Sequence, residues 1–244
     1  MRELRRLADI TGYPLHARDG EIGRLREVYF DDQRWTVRYF VVHTGGWLLG
    51  RDVLVVPAVV SAVDDLDQCL QVDLTREQIR HSPPVGTEPP VSRHYEQEYY
   101  RYYGWEPYWS GDPLFGPMPP LTPPADGEEP RPPAHPHLRS SDAVSGYRIH
   151  AQDGEIGRVS DFVLEDPGWA VRYLEVDIGR WLAGKTVLLA PAWIERIDWS
   201  GCEVVTTLTC DAIRTAPAYD PSKIISRDYQ VALYKHYGMT FIED

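Results

Sequence analysis

The sequence predicts a mostly β protein made of two small β-barrels in tandem, each followed by a C-terminal helix. Three observations carry that prediction. The same pattern is written twice in register, its apolar stretches are short and strand-like, and a proline-rich stretch separates the two copies.

The duplication is read from one constant offset. Gly12-Tyr13 aligns with Gly146-Tyr147, and without a gap Asp19 meets Asp153, Trp35 meets Trp169, Arg38-Tyr39 meets Arg172-Tyr173, Trp47-Leu48 meets Trp181-Leu182, and Pro57 meets Pro191. Ile79-Arg80 and Tyr103-Gly104 then meet Ile213-Arg214 and Tyr237-Gly238. The expected organisation is a first domain over 1–104, a proline-rich linker over 105–141 and a second domain over 142–244. The linker holds just over half of the 21 prolines, which fix φ and remove amide donors, so it reads as an extended spacer. Its P-x-x-P spacing (Pro117/Pro120, Pro120/Pro123) is also the pattern that aromatic grooves recognise, the less favoured reading.

In chain order, each unit opens near the hexapeptide DGEIGR, at 19–24 and again at 153–158. A phosphate-gripping loop is excluded, because the glycine spacing is wrong and Glu21/Glu155 would repel an anion. A carboxylate site built on Asp19 and Glu21 is weighed against a hairpin, and Asp-Gly favours the hairpin. Asp19, Gly20, Asp153 and Gly154 are thus expected to be turn residues, while Gly23 and Gly157 permit a bulge or close backbone approach. Strands follow at Val37–Thr44 and Val171–Ile178, rich in β-branched and aromatic residues. Replacement of Val41 by Glu175 suggests that the even-numbered face of this strand is the buried one. Further strands are expected at Val53–Val56, Cys69–Leu74 and their counterparts. A helix then closes each unit, capped by Ser92 or Ser226 and ended by Gly104 or Gly238, with Tyr95, Tyr99 and Tyr103 on one stripe.

With these residues in place, the pattern x-D-G-E-x-[IV]-G-x-[LV], the V-R-Y strand, the Gly-Trp corner and V-L-[LV]-x-P-A-x-[VI] resembles the PRC-barrel family in both units. Such domains are similar to the cytoplasmic part of the photosynthetic reaction-centre H subunit and to the C-terminal domain of the ribosome maturation factor RimM. The resemblance implies a compact PRC-barrel-like β-barrel that binds proteins and carries no catalytic residues.

Composition narrows the function further. A net charge of −12 argues against a generally basic, nucleic-acid-binding surface. No apolar run reaches the roughly 20 residues of a membrane helix, and no signal-peptide core follows the basic start, so a cytoplasmic protein is expected. Cys69, Cys202 and Cys210 form no C-x-x-C pair. His16 and His150 recur, and His135 and His137 lie in the linker, but neither set has metal-ligand company. No catalytic, cofactor or metal residues are therefore expected. Arg38 and Arg172 face inward and call for structural ion pairs, with Glu27/Asp161 or Asp32/Asp166 as partners.

The leading expectation is a non-catalytic protein-interaction or assembly module with a protein partner and the option of homo-oligomers. Alternatives are a RimM-like role in RNA–protein assembly, an H-subunit-like role in photosynthetic electron transfer, and a small-molecule or metal-binding enzyme. The candidate partner-binding residues are Tyr99, Tyr102, Trp105, Tyr108 and Trp109, because the second copy lacks this aromatic run and such residues dominate binding hot spots. The competing reading is that they lash the linker to a barrel.

Overall fold

The structure is a computed structural model that describes residues 2–83, 85, 91–109, 137–179 and 184–241. The P-x-x-P prolines, His135 and Trp181-Leu182 lie outside the described residues.

The first unit comprises β1 (Glu3–Arg6), α1 (Leu7–Ile10), β2 (Pro14–Ala17), β3 (Gly20–Asp31), β4 (Thr36–Thr44), β5 (Asp52–Val55), β6 (Val60–Asp64), β7 (Cys69–Val72), α2 (Arg76–Arg80) and α3 (Arg93–Tyr103). The second repeats the order as β8 (Leu138–Ser140), α4 (Ser141–Val144), β9 (Arg148–Ala151), β10 (Gly154–Asp166), β11 (Ala170–Asp177), β12 (Thr186–Leu189), β13 (Ile194–Asp198), β14 (Glu203–Thr206), α5 (Cys210–Thr215) and α6 (Arg227–His236). In each unit the long hairpin β3–β4 or β10–β11 is the spine. The strand β2 or β9 joins its first arm, a parallel partner (β7 or β14) follows, and β5 or β12 joins its second arm.

The hairpin sequence does what its chemistry requires. Arg18-Asp19 forms the two-residue loop between Ala17 and Gly20, and it is Gly20, at φ 138°, that takes the positive dihedral rather than the aspartate. Asp19 instead accepts the backbone N–H of Arg76 at 2.7 Å, as Asp153 accepts that of Cys210 at 2.6 Å, so each carboxylate ties the hairpin to the start of α2 or α5. Gly23 and Gly157 lie where the next strand passes close by. A Cβ there would fall on the carbonyl of His43 or of Asp177.

The two units are interlocked. The first strand of each leaves its own barrel and pairs antiparallel with the other: β1 with β10 (Arg5↔Leu164) and β8 with β3 (Phe30↔Arg139). The linker expected up to 141 therefore ends earlier, because Leu138–Ser140 finds ladder partners on β3. Between the spines, Trp35 and Trp169 adopt left-handed φ of 51° and 56°. Their carbonyls accept the N–H of Val171 and Val37 across the junction, at 2.7 and 2.9 Å. The result is one 14-stranded sheet, and one apolar core spans both units through Phe30–Phe162 and Phe40–Trp169 ring contacts.

Two expectations about the spine are corrected. Both faces of β4 are buried: Phe40 and Val42 point into the shared core, while Tyr39 and Val41 lie under α3 in a second cluster. A strand covered on both faces loses the period of two that the reading relied on. Glu175 is likewise only 4% exposed, because Arg6 of the exchanged arm donates to it at 2.9 Å. The ion pairs of Arg38 and Arg172 exist with different partners, Asp31 (3.2 Å) and Glu165. Bulges after Tyr29 and after Val163 shift the register, bringing these acids to the arginines. Asp32 and Asp166 pair instead with the exchanged arms, through Arg139 at 2.8 Å and Arg5 at 3.2 Å.

Candidate interaction surface

The aromatic segment of the first unit begins at Ser92, whose hydroxyl accepts the N–H of Tyr95 and starts α3. Gly104, at φ 68°, ends the helix in the left-handed conformation and turns the chain back over it. This turn decides where the five candidate residues go. Tyr99 is fully buried, its ring edge-on to Tyr39 and its hydroxyl donating to the carbonyl of Leu54 at 3.0 Å. Trp105 stacks on Tyr103, with ring centroids 4.3 Å apart. Tyr108 and Trp109 fold onto the outer side of α3 and β4. Arg38 lies 4.1 Å over the Tyr108 ring, Arg93 lies 4.0 Å over the Trp109 ring, and Trp109 meets Tyr100 edge-on at 5.3 Å.

Of the five, Tyr102 alone is exposed, and its hydroxyl donates to the carbonyl of Gln78. Tyr99 and Trp109 are buried and Trp105 and Tyr108 half-buried, so these four form a packed layer that ties residues 105–109 to the first barrel. Burying these rings removes more apolar area from water than displaying them, and the left-handed Gly104 supplies the fold-back. The second unit reaches a similar layer by an exchange of sizes. Tyr237, the counterpart of Tyr103, is covered by Trp193 at 4.4 Å, where the first unit has Val59, and the place of Trp105 is taken by Met239.

At the centre of the layer lies Glu96, a fully buried carboxylate that composition gave no reason to single out. Tyr39 and Tyr108 donate their hydroxyls to its Oε1 at 2.9 and 3.0 Å, and Arg93 stands 3.4 Å from Oε2. Burial outweighs these partners and pushes its pKa up to about 7. Its counterpart in the second unit is the neutral Gln230, which accepts the Tyr173 hydroxyl at 3.0 Å. A second buried acid, Asp161, faces the exchanged arm. It accepts the N–H of Ala8 at 3.2 Å and stands near Arg6, and burial raises its pKa to about 6.

The arms, the hairpin spine and the capped turns form the first unit. Residues 2–79 match the PRC-barrel domain family. No curated protein matches the chain. In PRC-barrel terms, the matched region runs from β1 to α2 and ends before the aromatic helix, so α3 and its fold-back lie beyond the domain. Among the described residues no group of three His, Cys, Asp or Glu is arranged to hold a metal ion, and no helix is long and apolar enough to cross a membrane.

Groove-like spaces lie among the described residues. One, with a volume of about 420 Å³, lies between β11 and α6 and is also walled by Arg34 and Trp35 of the first unit, with Phe241 edge-on to Tyr234 inside it at 5.2 Å. A counterpart lies beside Tyr108 on the first unit, lined by Arg38, Pro57 and Tyr100. A further one is small, between α1 and Pro221–Ile225.

Proposed function

We propose that this chain is a non-catalytic interaction module that holds protein partners through its paired PRC-barrels, acting in the cytoplasm. The observation that carries the reading is how the charged residues recurring in both units are used. Asp19 and Asp153 cap helices, Arg38 and Arg172 pair with Asp31 and Glu165, and Arg24 and Arg158 donate to the carbonyls of Gly12 and Gly146. Groups committed to the fold in this way are poor candidates for a shared reacting centre. The differences between the units include the aromatic residues around the C-terminal helices, where one barrel can recognise what the other does not.

Protein is favoured over nucleic acid as the partner. Arg5, Arg6, Arg26, Arg139 and Arg148 each face a carboxylate on a molecule of net charge −12, which leaves little of the basic stripe that phosphate binding requires. The free thiols of Cys69, Cys202 and Cys210 accord with a reducing compartment.

Affinity purification from the native host with cross-linking mass spectrometry tests the proposal. The three lysines, at 185, 223 and 235, all lie in the second unit, so a carboxylate-reactive cross-linker is needed to report on both. The expected result is a reproducible protein partner linked near α3 or α6. Recovery of nuclease-sensitive nucleic acid, or of no partner, would overturn it.

A further inference from the structure

Residues 105–109 lie as a strap over α3, and the carboxylate they cover is poorly solvated. After Gly104 turns the chain, the N–H of Trp105 donates to the carbonyl of Tyr100 at 3.0 Å, and residues 105–109 belong to no helix or strand. Side chains then hold the strap. Trp105 stacks on Tyr103, Tyr108 lies under Arg38 and donates to Glu96, and Trp109 meets Tyr100 and Arg93. Beneath it Glu96 is fully buried. Its Oε1 accepts two phenols, whereas Oε2 has no hydrogen-bond partner and stands 3.4 Å from the Arg93 guanidinium. A negative charge there lacks donors that water would supply, so ionisation favours a state that readmits water.

The groups facing Glu96 identify which wall can yield. Arg38 and Tyr39 belong to β4, which is paired on both sides by β3 and β5, while Arg93 and Tyr100 belong to α3 itself. Tyr108 belongs to the strap, which can leave without breaking a strand ladder or a helical turn. Among these groups Glu96 is the one that changes charge near neutrality. Burial pushes its pKa up to about 7 and holds those of Tyr39, Tyr100 and Tyr108 above their ordinary 10, and arginine keeps its proton.

We propose that residues 105–109 are a pH-sensitive strap, hinged at Gly104, that is released from α3 when Glu96 loses its proton to solvent. Below neutrality the neutral carboxyl accepts the Tyr108 hydroxyl and the strap stays closed. As pH rises through the folded-state value, the charge is hydrated at lower cost with the strap open, and opening grows until both states are ionised. The second unit has Gln230 in place of Glu96 and offers no titrating carboxyl at this position. The device is a property of the chain alone and is independent of the interaction-module reading.

Native-state proteolysis of the full chain with chymotrypsin tests it, because cleavage after Tyr108 and Trp109 needs an open strap whereas cleavage after Tyr99 and Tyr103 needs an unfolded α3. Rates resolved by mass spectrometry are normalised at each pH to free peptides of residues 105–112 and 97–106, WEPYWSGD and QEYYRYYGWE. In the wild type the strap rate is expected to rise about tenfold between pH 6 and pH 8 and then level off. At pH 8 it is expected to exceed the α3 rate by roughly tenfold or more. Glu96→Gln keeps an acceptor for Tyr108 and is expected to abolish the rise, with thermal melting to verify that it folds. Tyr108→Phe, normalised to its own peptide, deletes a donor that favours the charged carboxylate. It is expected to be cut faster at every pH and to level off at higher pH than the wild type. A pH-independent strap rate in the wild type, equal strap and α3 rates, a rise retained in folded Glu96→Gln, or an unmoved levelling point in Tyr108→Phe would overturn the strap.

Discussion

Glu96 is the residue on which the first unit's aromatic layer converges, and its protonation connects that layer to pH. Its pKa of about 7 in the folded chain lies above the ordinary 4.5 because burial disfavours the charge. The fold therefore holds the proton more tightly than the unfolded chain does. Stability from this group is fully present below about pH 4.5 and falls as pH rises to about 7, by about 3 kcal/mol across the window. Asp161 adds a loss of the same sign between its ordinary 3.8 and about 6. The wild type is expected to melt lower at pH 7.5 than at pH 5.5, by on the order of 5 °C from Glu96 alone. Glu96→Gln copies the second unit's Gln230, keeps an acceptor for Tyr39 and Tyr108, and is expected to flatten the curve between pH 6 and 7.5. Differential scanning calorimetry over that range is the measurement, and an unchanged slope in the variant would contradict the assignment.

Among the elements, the exchanged arms β1–α1 and β8–α4 carry the most information. Each places one arginine on the other barrel, Arg5 on Asp166 and Arg139 on Asp32, and each then differs at the next residue. Arg6 meets Glu175, while its counterpart Ser140 bonds Glu27 on a barrel that has Val41 at the matching site. Cation and extra carboxylate thus occur together only if the arms are exchanged. Arg6→Ser strands two buried acids and is expected to cost about 3 kcal/mol. The double variant Arg6→Ser/Glu175→Val recreates the first unit's pair and is expected to recover more than about 1 kcal/mol of that loss in urea denaturation. Additive costs would argue against the contact. This signal stood in the aligned copies, yet a reading that takes one barrel at a time cannot use it. The repeats, hairpins, caps and need for ion pairs were legible because each depends on neighbours in sequence. Three features were not: the bulges that moved Arg38 to Asp31, the second buried face of β4, and the fold-back after Gly104. The bulge lies within one hairpin but has no residue signature of its own, whereas the second buried face and the fold-back depend on how elements pack. The aromatic run of residues 99–109 looked like a hot spot because the composition of a hot spot and of a packed aromatic layer is the same. Only the left-handed turn at Gly104 distinguishes them.

As a whole, the chain is a pair of barrels that share one sheet, one core and two exchanged arms, so neither half retains all its strand partners alone. The proline-rich stretch between residues 109 and 137 need not hold the halves together once they have folded. This arrangement holds the two similar but unequal C-terminal helices in fixed relation through the shared sheet and core. The most direct measurement is native mass spectrometry after complete cleavage at a protease site introduced between Pro123 and Pro124. Interlocked barrels are expected to persist as a single noncovalent pair at the mass of the whole chain, with a cooperative melt. Two fragments that separate, each still folded, would contradict the account.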